Sequence, residues 1–126
     1  MKIILFYCLV FSSLTTAAFA HPPSNIQMQY DQAKNELVVS VNHRIAANRH
    51  EKDRTHFIKE IDLEINGKTI DSKTFVYQNS SIVKARFAMP KHENNDQLTV
   101  KAICSTDSEL SSQSSISSLL KYKQND

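Results

Sequence analysis

Histidine and cysteine are the residue types in this 126-residue chain best suited to chemistry. There are five histidines, His21, His43, His50, His56 and His92, and two cysteines, of which Cys8 lies in an N-terminal apolar run. Imidazole nitrogens and a thiolate suit iron, copper or zinc, whereas calcium and magnesium call for oxygen donors. Other chemistries are excluded more directly. The single glycine, Gly67, rules out a GxGxxG dinucleotide loop and a Walker A loop, and it argues against a nucleophile elbow around any serine. No HExxH or CxxC pair occurs.

Position sorts the histidines. His50 and His92 stand in charged, polar stretches and read as solvated. His43 follows Leu37, Val39 and Val41 at the same parity, so it belongs on the inward face where a strand ends. His56 immediately precedes Phe57-Ile58, the start of the next strand. Cys104 shares the parity of Leu98, Val100 and Ala102 and closes its own strand. From spacing alone, His43 and His56 as hydrogen-bonded strand ends with Cys104 as core is the leading reading. A shared metal is the other.

The elements that must position these residues are strands. Ile26, Met28 and Tyr30 alternate with polar residues, as do Leu37, Val39 and Val41, then Ile61, Leu63 and Ile65. A period of two marks half-buried strands. Asn66-Gly67 is a strong hairpin signal. Thr74 to Tyr77 reads as a further strand, Val83 to Phe87 as another stopped by Met89-Pro90, and Leu98 to Cys104 as the last clear one. Short strands at this spacing predict an all-β fold, an antiparallel β-sandwich of about seven strands. Ala46 to Thr55 is a charged connection read as an exposed loop.

The chain divides into residues 1–20, 21–104 and 105–126. Lys2, the apolar run from Ile3 to Leu14 and Ala18-Phe19-Ala20 read as a secretory signal peptide. The implied location is periplasmic or secreted, with no membrane span left after cleavage. The mature chain would begin at His21, whose α-amine and imidazole together can chelate copper. With Lys2 removed, 14 basic residues face 13 acidic ones, which leaves no electrostatic case for nucleic acid. Cys104 would then be the sole cysteine, so no internal disulfide can form. From Ser105 to Ser118 eight of fourteen residues are serine, and a tail of that composition is expected to be partly mobile. Ile116, Leu119, Leu120 and Tyr122 give it the means to dock a last strand or short helix.

The run from His21 to Cys104 resembles the iron-binding domain of desulfoferrodoxin and superoxide reductase. His21-Pro22-Pro23 is similar to that family's first histidine element, Val41-Asn42-His43 to the second, and His56-Phe57-Ile58 with Glu60-Ile61 to the third. Lys101-Ala102-Ile103-Cys104-Ser105 is similar to the closing cysteine motif. The resemblance implies an immunoglobulin-like sandwich holding one iron. His21, His43 and His56 would be its imidazole ligands and Cys104 its axial thiolate, with superoxide as substrate and a periplasmic electron donor as partner. The family's final histidine is absent, and Asp107 stands in its place as a substitute ligand. Arg44-Ile45 replaces the proline-methionine that follows the second histidine. A weaker resemblance joins His56-Phe57-Ile58-Lys59-Glu60-Ile61 and Asn66-Gly67-Lys68 to the carrier-binding subunit of the periplasmic thiosulfate-oxidation system. That resemblance implies a similar sandwich, without metal, that grips a protein partner.

Overall fold

The computed structural model describes residues 21–45 and 56–123. The proposed leader, His50 and the charged connection from Ala46 to Thr55 lie outside the described residues. Seven strands and one helix follow in order: β1 (Asn25–Asp31), β2 (Glu36–Asn42), β3 (Ile58–Ile65), β4 (Lys68–Thr74), β5 (Ile82–Ala88), β6 (Gln97–Cys104), β7 (Glu109–Ser115) and α1 (Ile116–Lys123). They form two antiparallel sheets, β1-β2-β5 and β4-β3-β6-β7, which is an immunoglobulin-like sandwich with the fourth strand in the larger sheet.

Each sheet turns one apolar face inward. Leu37, Val39 and Val41 of β2 meet Leu63 of β3 and Leu98 and Val100 of β6 in one core, all fully buried. Phe87 of β5 and Ile116 at the start of α1 are buried in the same cluster. At roughly 1.5–3 kcal/mol for each large apolar side chain removed from water, this shared face holds the sheets together.

Asn66 and Gly67 both have positive φ, 50° and 82°, and join Ile65 to its partner Lys68 across a two-residue turn. Such a turn matches the twist of the flanking strands, and its second position favours glycine. It also corrects one expectation. The turn starts β4 at Lys68, so the strand ends at Thr74 and does not occupy Thr74 to Tyr77. Phe75 makes one more backbone bond, to Lys59 O at 2.9 Å, and Val76 is then 77% exposed. The polar sequence of β4 hides a strand, and the β-branched and aromatic residues after it imitate one.

The serine-rich segment is drawn into the fold. β7 pairs with β6 from Ile103↔Glu109 to Gln97↔Ser115, and α1 follows directly. An edge strand of small polar residues satisfies its backbone along one side and faces water on the other, so it needs few apolar side chains.

A candidate metal centre

Four chain segments end at one rim of the sandwich. His43 comes one residue after β2 and keeps that strand's inward parity, which leaves it 1% exposed. Its N–H bonds Ser81 O at 2.9 Å. Cys104 closes β6 directly opposite Ile58 and is fully buried as a free thiol. His21 leads into β1 and is exposed, while His56 is half-buried just before β3.

His56 reaches the interior through a register shift. Ile58 pairs with Cys104, and Glu60 pairs with Ile103, so Lys59 is an extra residue bulged out of β3. A bulge flips the parity of everything beyond it. Ile61 and Leu63 face inward, and the extra residue turns Ile58, and with it His56, to that same side. Beyond the bulge, Ser105 N–H bonds Phe57 O at 2.8 Å and Phe57 N–H bonds Ser105 Oγ at 3.2 Å. These two bonds hold the His56 segment against the end of β6. The signal was present in sequence, because two consecutive polar residues, Lys59 and Glu60, interrupt the alternation between Ile58 and Ile61.

The three imidazoles converge. One nitrogen from each of His21, His43 and His56 lies within 4.8 Å of the others, and the rings meet at centroid separations of 5.4, 4.5 and 4.6 Å. Cys104 Sγ is 3.5 Å from His43 Nε2 and accepts a hydrogen bond from Thr106 Oγ1 at 3.3 Å. With donor–metal bonds of about 2.0–2.3 Å, adjacent nitrogen and sulfur ligands stand about 3.1–3.6 Å apart, and opposed nitrogens about 4.2 Å. The sulfur–nitrogen spacing already matches one edge of a coordination polyhedron. The widest nitrogen spacing would have to close by roughly half an ångström. A donor set of imidazoles with a thiol fits zinc, copper or iron and not a hard oxygen-seeking cation.

The fold is similar to that of superoxide reductase. Neelaredoxin from Ignicoccus hospitalis matches with a TM-score of 0.45 and 17% identity over 76% of this chain and 79% of that chain. A glutamate-to-alanine variant of the same protein matches with a TM-score of 0.46 and 16% identity, over 77% and 79%. No family model and no curated protein matches the chain.

Gln78, which the sequence reading passed over, lies against His43. It is 3% exposed in the β4–β5 connection, and its Oε1 stands 2.9 Å from His43 Nδ1. Nothing in the polar run from Tyr77 to Ser81 marks one of its members as buried, since the contact spans 35 residues. The His43 imidazole sits below the ordinary histidine value of 6.5, chiefly because burial disfavours its charged form. The hydrogen bonds to Gln78 and to the His21 backbone pull the other way, and the charges of the nearby His56 and His21 rings add to the lowering.

Asp107 stands apart from the three-histidine cluster. It occupies a left-handed turn position, φ 67°, between β6 and β7, where its side chain is 83% exposed and paired with Lys59. That hydrogen bond raises the lysine above its ordinary value. His92 differs from its solvated reading. It is half-buried, with Nδ1 2.7 Å from Pro90 O and Nε2 3.2 Å from the Tyr30 hydroxyl, and its ring stands edge-on to Tyr30.

Proposed function

We propose that this protein binds one transition-metal ion through the imidazoles of His21, His43 and His56 and the thiolate of Cys104. The observation that carries this reading is the meeting of three imidazole nitrogens within 4.8 Å beside a buried sulfur 3.5 Å from one of them. Segments of both sheets deliver these groups, and titratable side chains gathered from distant parts of a chain mark a functional-site candidate. The motif resemblance of His21, His43, His56 and Cys104 extends the proposal to iron and to superoxide as substrate. Ferrous iron would supply one electron to superoxide, which with two solvent protons becomes hydrogen peroxide. The chain's part is to hold the donors in place, with Cys104 as the electron-rich ligand that tunes the potential. Read as a leader, residues 1–20 would deliver this centre outside the cytoplasm.

Elemental analysis of the full chain, expressed and purified without added metal, tests the proposal. About one equivalent of iron is expected from the single cluster, with loss of iron in Cys104→Ala and in His43→Ala. Copper in place of iron would overturn the iron assignment in favour of a copper centre on the same imidazoles, to which His21 adds its amine once cleavage after Ala20 has freed it. Wild-type protein that holds no metal, or holds it equally in both variants, would overturn the metal reading. Consumption of superoxide by the reduced iron form, with no gain above the metal-free control, would overturn the activity alone.

A further inference from the structure

Gln78 belongs to no donor set, yet each hydrogen-bonding position of its side-chain amide is used at this rim. Nε2 donates to His43 O at 2.7 Å and to Ser80 O at 2.7 Å. Oε1 accepts from Ile58 N–H at 3.1 Å and faces His43 Nδ1 at 2.9 Å. Two carbonyl oxygens can only accept, and a backbone N–H can only donate, so the amide has one chemically consistent orientation. An oxygen facing Nδ1 then requires that Nδ1 carry the ring proton. The other nitrogen of a neutral His43, Nε2, is left with its lone pair, and this is the nitrogen 3.5 Å from Cys104 Sγ.

We propose that Gln78 is the positioning residue of the metal centre. It holds His43 in the Nδ1–H tautomer, with Nε2 bare toward Cys104 Sγ, and it ties the His43 segment of one sheet to the start of β3 in the other. The part that concerns metal uptake rests on the metal-binding reading above. The part that concerns the tautomer does not. A ligating histidine commonly has its second nitrogen fixed by a hydrogen-bond acceptor, which sets both the tautomer and the ring orientation. A side chain that merely filled space at position 78 would leave the ring proton free to sit on either nitrogen.

The test uses the full chain at pH 8, first without metal. Nitrogen-15 NMR of the histidine rings reports which nitrogen of His43 bears the proton, and cobalt(II) titration reports affinity through the thiolate charge-transfer absorption. Wild type should show the Nδ1–H tautomer. Gln78→Glu keeps an acceptor for both Nδ1–H and Ile58 N–H, so it should keep that tautomer, at a cost in stability because its second oxygen must carry a proton to face His43 O and Ser80 O. Gln78→Met has no such acceptor; it should populate the Nε2–H form and bind cobalt about 10–100-fold more weakly. A wild-type Nε2–H tautomer would overturn the inference, as would a Gln78→Met protein with unchanged tautomer and unchanged cobalt affinity. Wild type with the Nδ1–H tautomer and no cobalt uptake would sink the metal reading and uphold the grip of Gln78 on His43. If Gln78→Met does not fold, the tautomers of wild type and Gln78→Glu decide the matter.

Discussion

At Cys104 two demands meet. The side chain is fully buried in the interior row of β6, and its sulfur also touches two polar groups, Thr106 Oγ1 and His43 Nε2. A core cysteine behaves as a small hydrophobe, whereas a ligand must lose its proton and face a cation. The two roles separate experimentally. In metal-free protein, Cys104→Ala removes one buried sulfur and should cost about 1–2 kcal/mol in urea unfolding, the size expected for a small cavity. With metal present, the gap between the two proteins should widen, because the variant also loses the stabilisation from binding. An equal gap under both conditions would leave Cys104 a packing residue alone. Its inward parity was readable from Leu98, Val100 and Ala102, and the same rule placed His43. Gln78 was not readable, because a glutamine in a polar connection carries no mark of the partners that bury it.

At the level of elements, alternation predicted β1, β2, β3, β5 and β6, since each has one face in the core and one in water. β4 and β7 escaped because, unlike the edge strands β1 and β5, neither carries a buried residue, so their place is set by their neighbours. The Asn66-Gly67 turn registers β4, and pairing with β6 recruits the serines of β7. The same hairpin is latched to the β5–β6 connection. Asn66 Nδ2 donates to Asp96 Oδ1 at 3.0 Å, Gln97 N–H bonds Asn66 Oδ1 at 3.0 Å, and Glu93 N–H bonds Asp96 Oδ2 at 2.9 Å. The Glu93 N–H and the Asn66 amide hold the Asp96 carboxyl below its ordinary value of 3.8. A carboxyl with a lowered folded-state value contributes stability that is present above pH 3.8 and is lost as pH falls through the folded value. Asp96→Asn should therefore be less stable than wild type at neutral pH, and the difference should shrink as the pH drops below 3.8. Thermal melts of both proteins across that range check it. A difference that stays constant with pH would assign the latch to neutral hydrogen bonding.

The whole molecule is two sheets joined by an apolar interface, and the histidine cluster lies where that interface opens at one end. His21 and His43 flank strands of the smaller sheet, while His56 and Cys104 flank strands of the larger one. A metal held by all four would bridge the sheets across sequence separations that reach from residue 21 to residue 104, which makes binding and folding one linked equilibrium. A ligand at 100 times its dissociation constant stabilises the native state by about 2.7 kcal/mol when the unfolded chain does not bind it. For a domain of this size that corresponds to a rise in melting temperature of roughly 10–20 °C. Calorimetric melts of the full chain at increasing cobalt(II) should show a rise that grows with the logarithm of the metal concentration and is reversed by a chelator. Cys104→Ala should show a much smaller rise, because it loses the thiolate and leaves His56 as the one donor from the larger sheet. The same rise in both proteins would remove the sulfur from the ligand set and leave the three imidazoles, which still span both sheets, as the donors.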